Sequence, residues 1–294
     1  MRLALLTVLA GVLFLVFWGL TRPDPLPDRS FAGLEGDAGR GEAVFWAAGC
    51  ASCHAAEGAQ GEDMLVLAGG RALVTDFGTF RAPNISTDPD HGIGGWSLAE
   101  FANAMLRGVS PDGQHYYPSF PYASYRLARP EDVADLKAFM DGLPASDRAN
   151  DAHDLPFPYS LRRGIGLWKR LALPEGWAVP GPLAEDEDRG RYLAEALAHC
   201  GECHTPRGRT GVMDRSRWLA GAPNPSGAGR IPGLTPAQLT WSQSEVAGYL
   251  ATGFTPSFDS AGGTMAAVVA SLGRLPQEDL QAIAAYLQRV PEAR

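Results

Sequence analysis

The chain has 294 residues, enough for about two domains. Hydrophobic residues make up 45% and charged residues 20%, proportions that exclude a wholly disordered or fibrous chain. The formal charge is −8, and no Lys/Arg run exists to neutralise a phosphate backbone, which argues against a nucleic-acid partner.

From the N-terminus, Leu3 to Leu20 is an apolar run broken only by Thr7 and two glycines. As a helix it is roughly 27 Å long at about 1.5 Å per residue, close to the roughly 30 Å hydrocarbon core of a bilayer. Arg2 precedes it, the run is longer than an ordinary export signal, and no small-x-small cleavage site follows. Residues 1–22 therefore read as an uncleaved N-terminal membrane anchor, with a cleaved signal peptide as the alternative. In either case the remainder is exported. The expected location is the bacterial inner membrane, with the bulk of the chain in the periplasm. Residues 23–38 are a Pro/Asp-rich tether.

Next comes Cys50-Ala51-Ser52-Cys53-His54, and much later Cys200-Gly201-Glu202-Cys203-His204. Both are C-x-x-C-H, the attachment signature of a c-type haem. Two thiols on about one helical turn can each add to one haem vinyl group, and the adjoining His can ligate iron. A four-thiolate zinc site and a pair of disulfides are the competing readings. Zinc pairs usually lie 15–20 residues apart, and neither alternative requires His after both pairs. The reading is two covalently attached haems c.

The chain repeats itself around these motifs. Trp96-Ser97-Leu98-Ala99-Glu100 is answered by Trp241-Ser242-Gln243-Ser244-Glu245, each a helix start with Ser as cap and Glu reaching back. Pro130-Glu131-Asp132 is answered by Pro276-Gln277-Glu278-Asp279, again helix-start chemistry. The expected fold is all-α. Two tandem units, residues 39–146 and 189–294, each wrap about three helices around a haem, which itself serves as the hydrophobic core. Residues 147–188 form a connector, ordered by Trp168 and its aliphatic neighbours, that packs on both units. Among the other polar residues, His91 and His153 read as solvated and His199 as local packing. Glu35, Asp37 and the run Glu185–Asp188 read as solvated acidic surface, the run having a docking patch for a basic partner as its alternative.

Phe77-Gly78-Thr79-Phe80 with Pro83-Asn84-Ile85, Gly92 to Ser97, Tyr117-Pro118 with Pro121-Tyr122, and Cys200 to Pro206 carry a resemblance. The chain resembles the membrane-anchored dihaem cytochromes c that serve as electron-transfer subunits of bacterial periplasmic dehydrogenases. The alcohol and gluconate dehydrogenase cytochrome subunits are the named relatives, although those usually carry three haems. The resemblance implies two cytochrome c domains and electron relay from a dehydrogenase or other donor towards the respiratory chain.

It also implies a second axial ligand for each iron. For the second unit that is Met265, in the loop between the W-S helix and the terminal helix, where the family's axial Met falls. For the first unit the pattern fails. Where many relatives read Tyr-Pro-x-Met-Pro-Tyr, this chain has Tyr117-Pro118-Ser119-Phe120-Pro121-Tyr122, and Phe cannot ligate iron. Three arrangements are open there: His115 as ligand, Met64 swinging in, or five-coordinate iron. The last leaves room for a different function, a peroxidase-like dihaem enzyme using the open site, beside the favoured non-catalytic carrier with redox proteins as partners.

Overall fold

The computed structural model describes residues 2–173, 175–225, 227 and 229–292. The N-terminal apolar run forms one helix, α1 (Arg2–Leu20), and none of its residues is buried against the rest of the protein.

The first unit then runs α2 (Ala38–Ala47), α3 (Cys50–His54), the antiparallel hairpin β1 (Ala72–Thr75) and β2 (Gly78–Arg81), α4 (Leu98–Arg107), α5 (Tyr122–Tyr125) and α6 (Pro130–Met140). A connector helix follows, α7 (Ile165–Ala172). The second unit repeats the plan: α8 (Glu185–Arg191) continuing through a π-turn at Tyr192–Leu197, α9 (Gly201–His204), the pair β3 (Ala222–Pro223) and β4 (Arg230–Ile231), α10 (Gln243–Thr252), α11 (Thr264–Leu272) and α12 (Gln277–Leu287).

Local chemistry explains the helix starts. Ser97 accepts from the Glu100 N–H while the Glu100 carboxylate accepts from the Ser97 N–H at 2.8 Å, and Ser242 with Glu245 does the same at 2.7 Å. Both W-S-x-x-E segments are thus complete capping boxes, which satisfy two orphan donors at once. Pro130 opens α6 with two acids behind it. Asp37, expected as plain surface, is exposed but accepts from the Arg40 N–H and caps α2. The run Glu185–Asp188 forms the acidic first turn of α8, where negative charge suits the helix dipole.

Within each unit the first helix crosses the last at a glycine. A Cβ on Gly41 would stand 1.9 Å from the Asp135 carbonyl oxygen, and one on Gly190 would stand 1.8 Å from that of Ala282. Only glycine permits backbones this close. The preceding arginine then clamps the crossing. Arg40 donates two hydrogen bonds to Asp135 at 2.7 and 2.8 Å, and Arg189 donates two to Asp279 at 2.8 Å. Phe45, Val133 and Leu136 fill the first crossing, and Leu193, Leu280 and Ile283 the second.

Two features differ from the three-helix expectation. The segment after α10 is not a plain loop: Thr264–Leu272 is helical, so Met265 sits in the first turn of α11. Its sequence is apolar all round and lacks the 3.6-residue polar alternation that marks a surface helix. The small strand pairs are hairpins without a sheet core. The connector is ordered: Trp168 donates to the Thr210 carbonyl of the second unit at 2.9 Å, and Lys169 donates to the Arg107 and Gly108 carbonyls of the first at 2.7 Å.

Candidate functional site

Each C-x-x-C-H occupies a short helix entered by a left-handed residue: Gly49, φ +64°, before α3, and His199, φ +42°, before Cys200. This turn ends the first helix of the unit and redirects the chain so that both thiols and the imidazole leave one helical turn.

The two histidines are bracketed identically. His54 donates from Nδ1 to the Pro83 carbonyl at 2.7 Å, and His204 from Nδ1 to the Pro232 carbonyl at 2.8 Å. With Nδ1 carrying the proton, Nε2 is the free lone pair, the tautomer and orientation that a ligating imidazole needs. Burial lowers both imidazole pKa values, and the carbonyl contacts only partly oppose it, so both rings are neutral at pH 7. The backbone repeats as well: the Gly69 N–H bonds the His54 carbonyl and the Gly221 N–H bonds that of His204, both at 2.8 Å. The proline acceptors were missed by motif reading. The signal lay in the parallel placement of Pro83 and Pro232 downstream of the two motifs.

The thiols complete the fit. Burial, with a smaller contribution from Cys53, pushes Cys50 up to about 12, and burial with Cys203 does the same to Cys200. Among the described residues no three of His, Cys, Asp and Glu come together as a metal set, which argues against a zinc-thiolate cluster. Beside α3, Arg71, Arg81 and Arg148 line a cleft of about 400 Å³ that also touches Ala55 and Ala56. Its three arginines outnumber the one acid, Glu57, and this positive edge fits the carboxylates haem carries.

The cytochrome c family model matches residues 38–144 and again 188–291. The chain belongs to the cytochrome c family. It is 59% identical to a diheme cytochrome c-type protein of Cereibacter sphaeroides, over 99% of both chains. It is 39% identical to the fructose dehydrogenase cytochrome subunit of Gluconobacter japonicus, covering 86% of this chain and 52% of that one. With the gluconate 2-dehydrogenase cytochrome c subunit of Pantoea cypripedii the identity is 34%, over 88% of this chain and 62% of the relative. The chain thus spans little more than half the length of these two dehydrogenase subunits. The cytochrome carries two covalently bound haems c, and its role is electron transfer.

The cytochrome's two attachment turns meet at the boundary between the units. Ser52, inside the first motif, donates to the Ala267 carbonyl of α11 and shares a hydrogen bond with Ser271, both at 3.2 Å. The Cys53 thiol contributes to the upward shift at Cys203, after burial and Glu202. Between the turns, the Tyr125 hydroxyl donates to the Ala48 carbonyl at 2.7 Å, and its ring meets that of His199 edge-on at 5.6 Å. His199 is therefore part of the contact between the units as well as local packing.

Met265 is half-buried at the start of α11 and packs on the core. Phe120, in the place of the missing Met, sits in an aromatic cluster with Tyr116, Tyr122 and Tyr125. Met64 is buried in a 3₁₀ turn at Gly61–Leu65. His115 is buried, and its Nε2 donates to the Thr21 carbonyl at 2.9 Å, which ties it to the end of α1; its Nδ1 has no partner. His153 is not solvated as expected. Its ring stacks edge-on against Phe80 and Tyr117, and Nδ1 accepts from the Arg81 N–H at 3.1 Å.

Proposed function

We propose that the cytochrome is a membrane-tethered periplasmic relay that takes electrons from a dehydrogenase and passes them towards the respiratory chain. In this reading Cys50 with Cys53, and Cys200 with Cys203, form the thioether bonds, while His54 and His204 ligate the irons from Nε2. Met265 supplies sulfur to the second iron, which favours the reduced state. Bound haem c supplies a one-electron couple. The chain's own contribution is to hold each imidazole on a proline carbonyl, to exclude water, and to bring the two motif turns together through Tyr125 and His199, with Ser52 fastening the first motif to α11 of the second unit. That junction between the two motif turns is the observation that carries the proposal, because relay along one chain needs closely placed centres.

In the first unit His115 serves the anchor junction instead of the iron. Thr21 is fully buried and its carbonyl holds the His115 ring. Loss of α1 with Thr21 would leave a buried imidazole without a partner, which argues for retention of the helix as an anchor over its removal as a signal.

Phe120 gives the enzyme reading its one supporting observation, since it leaves the first iron without a Met at that place. A single experiment separates the readings. Reduced full-length protein in vesicles is mixed with carbon monoxide and, separately, oxidised protein with peroxide. The relay reading expects no peroxide turnover. Sustained peroxide turnover at the first haem would establish the enzyme instead, and carbon monoxide binding there would show its sixth position open.

A further inference from the structure

The end of α1 is built into the body of the protein. Arg163 donates to the Trp18 carbonyl at 2.8 Å and to the Thr21 hydroxyl at 3.0 Å, and its guanidinium lies 4.0 Å over the Trp18 ring. Arg170 donates to the Leu20 carbonyl at 2.7 Å. These side chains, with His115, satisfy carbonyls that a helix end otherwise leaves bare. Gly166 lies between the two arginines, and a Cβ there would stand 2.5 Å from the Thr21 carbonyl oxygen and 2.7 Å from His115 Nε2. The connector helix α7 is thus pressed against the last turn of α1.

The rest of α7 is divided by direction. Trp168 turns to the second unit and Lys169 to the first. Leu167 and Leu171, one turn apart, flank the Arg163–Arg170 row and are 45% and 74% exposed. Just upstream, Phe157 and Leu161 are 79% and 57% exposed. The exposed pair Leu167 and Leu171, bordered by Arg163 and Arg170, therefore sits on the helix that meets the end of α1, close in the chain to the exposed Arg22. An apolar face of that kind is the pattern of a helix lying in a bilayer interface, and the arginines complement anionic headgroups.

We propose that Leu167 and Leu171 of α7 lie in the interfacial layer of the bilayer, so that the haem units stand in one fixed orientation on the membrane. This rests on the reading of α1 as a bilayer-spanning helix. The occupant follows from continuity with α1 and from the arginine border: the surface that receives α1 is the one that meets α7.

The test uses the full holoprotein in vesicles of phosphatidylethanolamine and phosphatidylglycerol doped with a lipid carrying a photoreactive diazirine in its upper acyl chain. Irradiation is followed by peptide mapping of lipid adducts. The expected result is adducts on α1 and, severalfold above the remaining soluble-domain peptides, on the peptide carrying Leu167 and Leu171. Adducts on α1 alone overturn the docking and leave the anchor reading standing. Absence of adducts on both helices overturns the anchor reading and this proposal with it.

Discussion

Replacing Gly190 with alanine tests the helix crossing that frames the second haem turn. An added Cβ would stand 1.8 Å from the Ala282 carbonyl oxygen, whereas non-bonded atoms essentially never approach a Cβ within 3.0 Å. α12 must therefore withdraw by more than about 1 Å, and a gap of that size forfeits a quarter to a half of each van der Waals contact across it. Leu193, Leu280 and Ile283, all fully buried at the crossing, lose most. Overpacking of this kind costs about 1–3 kcal/mol. The substitution also gains about 1 kcal/mol of helix propensity, which obscures the penalty in a single measurement. Gly248→Ala supplies the reference, since Gly248 lies inside α10 with no atom within 4 Å of its absent Cβ. The difference between the two variants isolates the clash. In a domain of about 100 residues, 1 kcal/mol moves Tm by about 4–8 °C. Thermal unfolding of the holoprotein, followed by circular dichroism, is expected to place Gly190→Ala below Gly248→Ala by at least that amount. Equal midpoints, or a higher one for Gly190→Ala, refute the close crossing.

Other expectations follow from the polar contacts. Burial raises the Asp135 pKa, but the Arg40 hydrogen bond, the Asp37 N–H and the Arg40 charge outweigh it and hold it below the usual carboxylate range. The stability from this group is therefore complete above the unfolded carboxylate pKa of about 4 and fades as pH falls through the lower folded value. Asp135→Asn should flatten the acid limb of Tm against pH while lowering Tm at neutral pH; an unchanged acid limb removes Asp135 from that role. Tyr286 donates to Glu195 at 2.6 Å and accepts from the Trp218 N–H at 3.0 Å, all buried. Tyr286→Phe leaves two buried partners wanting and should cost about 1–3 kcal/mol in denaturant unfolding, whereas a loss within error dismisses the network. Met265→Ala should abolish the sulfur-to-iron charge-transfer band of the oxidised protein and lower one of its two potentials; retention of both discards Met265 as a ligand.

The attachment turns and the helix starts were legible because their chemistry is local. C-x-x-C-H, Ser97 with Glu100, and Ser242 with Glu245 each act within one or two turns of chain. The proline carbonyls that orient the histidines lie 29 and 28 residues away, and no local pattern announces such a partner. The Arg40-Gly41 and Arg189-Gly190 pairs are a repeat in plain view, yet their meaning needs the helix that crosses them. α11 was expected as the loop in which the family's axial Met falls; its apolar sequence carries no period to mark a helix, and its helical form rests on packing against α10 and the first unit's α2 and α3. The pairing of the His115 ring with the Thr21 carbonyl, 94 positions away, is likewise beyond what any local pattern announces.

Peptide mapping of the purified chain by mass spectrometry reaches the attachment sites themselves. The peptide holding Cys50, Cys53 and His54 and the peptide holding Cys200, Cys203 and His204 should each carry the mass of one haem joined by two thioethers. Finding either pair as free thiols or as a disulfide would remove one of the two centres on which the relay depends.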